Sequence, residues 1–175
     1  MRQDMGGVYI AVVRGNTLDS QGRIEVALEG VSDKAGSYPA RLSTFMAGNG
    51  FGAQFLPEVG DQVLVAFVNG SPNEAVVIGS LWSSVDTPPE ANDDGKNDIK
   101  VLRTRAGNTI RLIDRDGDEA IEVLDKAGNT ITLSVSDKAI TIEAASKLSL
   151  KAPTIHIEAS SGDLTLKGGP KVNIN

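Results

Sequence analysis

The stretch GNGFGAQFLPEVGDQVLVAFVNGSPNEAVVIGSLW, residues 48–82, decides how the fold is read. Its second half holds two runs rich in β-branched residues, DQVLVAFV (61–68) and EAVVIGSLW (74–82), joined by NGSPN (69–73). Runs of this kind on either side of a Gly/Pro/Asn turn predict paired strands. Upstream, GVYIAVV (7–13), RIEVALE (23–29) and YPARLST (38–44) read the same way, with turns at LDSQG (18–22) and SDKAG (32–36). No segment sustains i, i+3, i+4 apolar spacing over three turns, so no helix is expected. Residues 45–60, FMAGNGFGAQFLPEVG, read as a Gly-rich loop. Five short strands in residues 1–82 predict a five-stranded barrel of the oligonucleotide/oligosaccharide-binding (OB) type, and an all-β chain.

The downstream half is organised differently. SSVDTPPEANDDGKND (83–98) carries one basic and five acidic residues and a Pro-Pro pair, and predicts an exposed acidic linker. From 99 to 175 the chain repeats pairs of aliphatic residues separated by one residue: Ile110/Leu112, Ile121/Val123, Ile131/Leu133, Ile140/Ile142, Leu148/Leu150, Ile155/Ile157, Leu164/Leu166 and Val172/Ile174. Turn formers such as RDGD, KAGN, SSGD and KGGP lie between the pairs. A short, nearly regular period of this kind predicts a β-solenoid or fibre.

All seven aromatic residues (Tyr9, Tyr38, Phe45, Phe51, Phe55, Phe67, Trp82) lie in the first 82 positions. Aromatics supply much of the buried area of an ordinary core. The distribution therefore predicts a barrel with a conventionally filled interior, followed by a rod too thin to hold rings. Each strand of the rod offers only two aliphatic side chains to its buried face. One chain would leave that face in water, and a patch of that size is not tolerated on a monomer. Three copies wound about a common axis would close the faces and the sheet edges together. The sequence thus predicts an intertwined trimeric β-helical needle over 99–175, stacking to roughly 38 Å at about 4.8 Å per strand. The alternative is an ordinary antiparallel sheet packed on the first domain, which is too small to cover eight strands.

Composition excludes several other classes. With no cysteine there is no disulfide, thiol nucleophile or thiolate metal site. No apolar run approaches a membrane span, and MRQDMGGVYI lacks the apolar core of a signal peptide, so assembly in the producer cytoplasm is expected. The net charge of −6 argues against binding a phosphate backbone. No G-x-S-x-G elbow or paired acid/base carboxylates point to an enzyme, and no cofactor is expected.

Residues 48–82 closely resemble the central OB domain of phage baseplate assembly protein V and of the valine-glycine repeat protein G spikes of type VI secretion. The resemblance rests on the Gly-rich loop, Pro57-Glu58-Val59-Gly60-Asp61 leading into VLVAF, the turn Gly70-Ser71-Pro72-Asn73, and VVIGSL. DSQGRIEVAL (19–28) resembles the family's second strand, and AGNTIRLIDRDGDEAIEV (106–123) the start of its β-helical needle. The resemblance implies a homotrimeric, membrane-piercing spike at the tip of a contractile phage tail or phage-like injection system, acting on a target cell envelope. Because the barrel begins about seven residues from Met1, the hub module of the larger spikes is expected as a separate protein. The 83–98 linker cannot hold the lysozyme domain of some phage spikes. Needles with a blunt ending are capped in these families by a PAAR-repeat protein, which implies a tip platform at Lys171, Val172, Asn173, Ile174 and Asn175.

Other candidate residues have simpler readings. His156, between Ile155 and Ile157, is expected to face solvent rather than an axial metal. Asp114, Asp116 and Asp118 space like a calcium loop, but position twelve from Asp114 is Asp125, not the glutamate that loop needs. Gly48, Gly50 and Gly52 lack a following helix and are not expected to cradle phosphate. The rival from a binding class is an OB-fold module for oligosaccharide or nucleic acid with a β-solenoid extension. It would need exposed aromatics and basic residues on the barrel.

Overall fold

A computed structural model of the chain describes residues 5–30 and 36–169. It divides into two compact units, Met1–Ala91 and Asn92–Asn175.

The first unit is a closed barrel of β1 (Val8–Gly15), β2 (Arg23–Leu28), β3 (Tyr38–Leu42), β6 (Gln62–Phe67) and β7 (Ala75–Ser80). Around the barrel the order is β1-β2-β3-β7-β6, with β6 returning to β1. All pairings are antiparallel except β3 with β7. The five strands coincide with the five apolar runs. Alternation sets the inside: Ile24, Val13, Val26, Val63 and Val65 are fully buried. Phe67 closes the core, its ring meeting Tyr9 at 5.5 Å and Tyr38 at 5.4 Å, both edge-on.

The interior departs from the expectation in one respect. Only Tyr9, Tyr38 and Phe67 pack on the core. Phe45, Phe51, Phe55 and Trp82 are 86%, 66%, 68% and 66% exposed. The interior of a five-stranded barrel is narrow, and valine, isoleucine and alanine fill it, so further rings have no room there. The segment read as a Gly-rich loop also contains a small antiparallel ladder, β4 (Ala47–Gly48) with β5 (Phe51–Gly52).

The second unit is a meander of β8 (Ile99–Arg103), β9 (Thr109–Ile113), β10 (Ala120–Leu124), β11 (Thr130–Ser134) and β12 (Ala139–Glu143). Four of the aliphatic pairs form the centres of β9 to β12. In a single chain these strands make an open antiparallel sheet with free edges at β8 and β12, because short turns fold each strand back on its predecessor. RAGNTIRL (105–112) recurs as KAGNTITL (126–133), and each copy carries a tight turn into a strand. The pairs at Leu148/Leu150, Ile155/Ile157 and Leu164/Leu166 lie outside strands. Val172/Ile174 lies outside the described residues.

Candidate interaction surfaces

The register of the second unit gathers its aliphatic residues on one face. Leu102, Ile110, Val123, Ile131 and Ile142 stand opposite one another in a row across the five strands. Leu112, Ile121, Leu133 and Ile140 form the next row, which Lys100 ends at β8. Directly opposed side chains on a sheet are about 5 Å apart, so each row is continuous. These nine residues are 38–71% exposed. Covering the uncovered half of nine such side chains is worth on the order of 10 kcal/mol per chain, before ordering costs.

The opposite face of the same sheet is mixed, with Ile99, Val101, Ile113 and Leu124 beside a polar middle row. Arg111 lies directly opposite Glu122 and bonds it at 3.3 Å. Thr132 and Thr141 continue that row. The sheet is therefore two-faced, with the Arg111–Glu122 pair on one side and an aliphatic double row open on the other.

A second surface lies on the barrel unit, where glycines shape an aromatic loop. The Phe51 ring lies over Gly48 so closely that a Cβ there would meet it at 2.3 Å. Gly52 has φ of +146°, and a Cβ on it would meet the Met46 carbonyl oxygen at 2.6 Å. The loop is tied at its base by Ala53 N–H donating to Met46 O (2.9 Å) and Thr44 Oγ1 donating to Ala53 O (2.8 Å). Gly48 and Gly52 thus serve close packing. Beside the loop, a groove of about 390 Å³ runs among Leu18, Leu42, Phe45, Phe55 and Leu56. Another of about 330 Å³ lies between Phe55, Leu56, Leu81 and Trp82. Sequence reasoning set Phe45, Phe51 and Phe55 in a Gly-rich loop without marking them as an exposed surface; rings set among glycines and a proline are the sign that they lie outside the core.

The remaining candidates do not converge. His156 is exposed, with Nε2 2.9 Å from Glu158 Oε2. Asp114 pairs with Lys100, and Asp118 with Arg115 at 3.3 Å across the β9–β10 turn. Among the described residues no group of three metal-ligating side chains comes together. Lys171 to Asn175 lie outside the described residues. Among the described residues no helix is long and apolar enough to cross a membrane.

The barrel's place among known proteins follows its residues. The family described as the type VI secretion system/phage-baseplate injector OB domain matches residues 9–82, from β1 to just past β7. The chain is similar to the type VI secretion system spike protein VgrG4b of Pseudomonas aeruginosa, 34% identical over 115 residues, covering 60% of this chain and 14% of the relative. It is also similar to the spike protein VgrG3 of Vibrio cholerae, 30% identical over 112 residues, covering 59% of this chain and 11% of that protein. A third relative is the actin cross-linking toxin VgrG1 of Vibrio cholerae, 31% identical over 86 residues, covering 46% and 8%. The chain thus spans less than a fifth of the length of these relatives. Residues 9–82, which close into the five-stranded barrel, thus match the type VI secretion system/phage-baseplate injector OB domain family, and the chain is similar to VgrG spike proteins.

Proposed function

We infer that the chain forms a homotrimeric spike of a contractile phage tail or phage-like injection system, and that its work is mechanical. The observation that carries this is the two-faced sheet of β8–β12. Nine half-exposed aliphatic residues in register, on a sheet with two free edges, call for cover that one chain does not supply. Two further copies would cover the face and pair the edges. The alternating segments at 148–150, 155–157 and 164–166 would then gain strand partners from their neighbours. The product is an intertwined β-helical needle over 99–175, joined by the acidic stretch 83–98 to the barrel over 1–82. Such a rod resists axial load because each strand is paired on both sides by another chain.

The exposed rings Phe45, Phe51, Phe55 and Trp82 support docking of the barrel to a separate hub protein. Large aromatics beside shallow grooves are typical anchors of protein interfaces. Residues 171–175 would seat a PAAR-repeat tip protein at the far end, and the target envelope is met only transiently. The particle is assembled in the producer cytoplasm. No residue is assigned a catalytic role.

The same rings give the rival reading, a sugar- or nucleic-acid-binding OB module, one of its two requirements. The other is met only weakly: residues 1–82 hold five basic against eight acidic residues, and from Leu42 to Trp82, where the rings stand, there is no Lys or Arg. A polyanion would be repelled. The deciding experiment is a solution mass for the intact chain. A particle of about three times 18.3 kDa that persists in denaturant supports the spike; a stable monomer overturns it.

A further inference from the structure

The barrel has two unlike outer walls. Over most of β1, β6 and β7 the outward residues are aliphatic as well as the inward ones, with Arg14 and Gln62 at one end. Val8 stands opposite Ala66, Ile10 opposite Leu64, and Ala66 opposite Val76, with Ile78 in the adjoining bulge. Val8, Ile10 and Ile78 are 55%, 44% and 47% exposed. On β2 and β3 the outward positions are instead Arg23 opposite Arg41, and Glu25 opposite Pro39. Strands that are apolar on both faces belong to sheets buried on both faces, whereas alternation marks a wall left in water. Both patterns occur on one barrel, on different sides.

Resting on the trimeric reading above, we propose that the β1–β6–β7 wall is a contact between barrels, turned toward the trimer axis and packed on the same wall of the two sister copies. The occupant follows from three features. Three copies about an axis each turn one wall inward and another outward, which is the division the barrel displays. The patch of Val8, Ile10, Leu64, Ala66, Val76 and Ile78 is itself uncharged, with Arg14 and the Gln62–Glu29 bond (2.7 Å) at its rim, the apolar centre and polar rim of permanent homo-oligomeric interfaces. Residues 83–98 reach at most about 55 Å when extended, so three barrels tethered to one needle meet one another at millimolar effective concentration. A sister copy is therefore the first surface this wall encounters. The aromatic loop is a separate surface and remains available to another protein.

The test uses the intact chain, whose lack of cysteine makes a single introduced thiol unique. Ile10→Cys and, separately, Val8→Cys are treated with a short bis-maleimide, and Arg41→Cys on the charged wall is the control. The mass of each variant is measured first. Expected are trimers throughout, covalent dimers as the main product on a denaturing gel for Ile10→Cys and Val8→Cys, and little cross-linking for Arg41→Cys. A mono-maleimide should label the apolar-wall thiols at least about tenfold more slowly than the control, as for a site exposed only in a minor open state. A trimer whose apolar-wall thiols label as fast as Arg41→Cys and do not cross-link overturns the inter-barrel contact alone, and leaves that wall to a different partner. A monomer overturns the trimeric reading and this contact together.

Discussion

Asp125 holds Asn129 at two points: its Oδ1 accepts the Asn129 backbone N–H at 3.0 Å and its Oδ2 accepts Asn129 Nδ2 at 2.7 Å. The Ala127 N–H also donates to Oδ1 at 2.8 Å. The same pattern closes the β1–β2 turn, where Asp19 Oδ1 accepts from Gln21 and Arg23 backbone N–H groups and Oδ2 from the Arg23 guanidinium. D-S-Q-G-R (19–23) and D-K-A-G-N (125–129) are thus one turn used in both units, each with a glycine at positive φ in fourth place. Asn129 is doubly used, since its Oδ1 accepts the Ala145 N–H at 3.0 Å.

The two turns make stability fall in acid. Bonds donated by the Asn129 side chain, then by its backbone, hold the Asp125 carboxyl below its usual 3.8. Backbone and side-chain bonds from Arg23 do the same for Asp19. A lowered folded-state value means the stabilisation is whole above 3.8 and is lost as pH falls through the folded value. Thermal unfolding should therefore be insensitive to these groups from pH 5 to 7 and should worsen below about pH 4. Asp125→Asn, which sets an amide N–H₂ against Asn129 Nδ2 or forfeits the charge, should lower the midpoint at neutral pH and flatten that acid limb. An acid limb identical to wild type would refute the assignment.

Gly52 and Gly48 should respond differently to alanine. At Gly52 both the positive φ and the fixed Met46 carbonyl oppose a side chain, so Gly52→Ala should cost about 1–3 kcal/mol locally. At Gly48 the obstacle is the Phe51 ring, an exposed side chain that can swing away, so Gly48→Ala should cost less. Limited proteolysis within 45–56 would report this: faster cutting in Gly52→Ala than in Gly48→Ala is expected, with the barrel itself intact in both.

In the barrel core, Ile24 is fully buried. Ile24→Ala should destabilise the first unit by about 2–5 kcal/mol, and Ile24→Val by about 0.5–1.5 kcal/mol. Denaturant titration of the intact chain should show the loss in the transition reported by Trp82, which belongs to that unit. Equal midpoints for Ile24→Ala and wild type would contradict the burial.

Strand positions in the barrel and over β9–β12 were legible in the sequence, because two-residue alternation survives translation into structure; the same alternation at 148–150, 155–157 and 164–166 lies outside strands. The barrel strands and β9–β12 follow directly from it. Side-chain destination was less legible. Phe45, Phe51, Phe55 and Trp82 look like core residues by type, yet hydrophobicity says only that a ring prefers cover, and the cover can be another protein. Strand partners were legible only in part: Ile121 opposite Leu133 in a hairpin leaves each with the same apolar face it would present in a wound needle, so alternation cannot choose between the two pairings. The role of Lys171–Asn175 rests on resemblance alone.

The two faces of the β8–β12 sheet allow the proposed assembly to be tested apart from folding. Ile131 sits centrally on the aliphatic face, between Val123 and Ile142, whereas Thr132 follows it on the opposite face between Glu122 and Thr141. A lysine ammonium in a dry trimer interior would be unpaired and strongly disfavoured, while at the half-buried Thr132 it stands directly opposite the Glu122 carboxylate and costs far less. Ile131→Lys should therefore convert the particle from about three times 18.3 kDa to dissociated or misassembled chains, and Thr132→Lys should leave the mass unchanged. Light scattering of the two variants at equal concentration makes the comparison. If both kept the same mass as wild type, the aliphatic face would not be the surface that joins the chains.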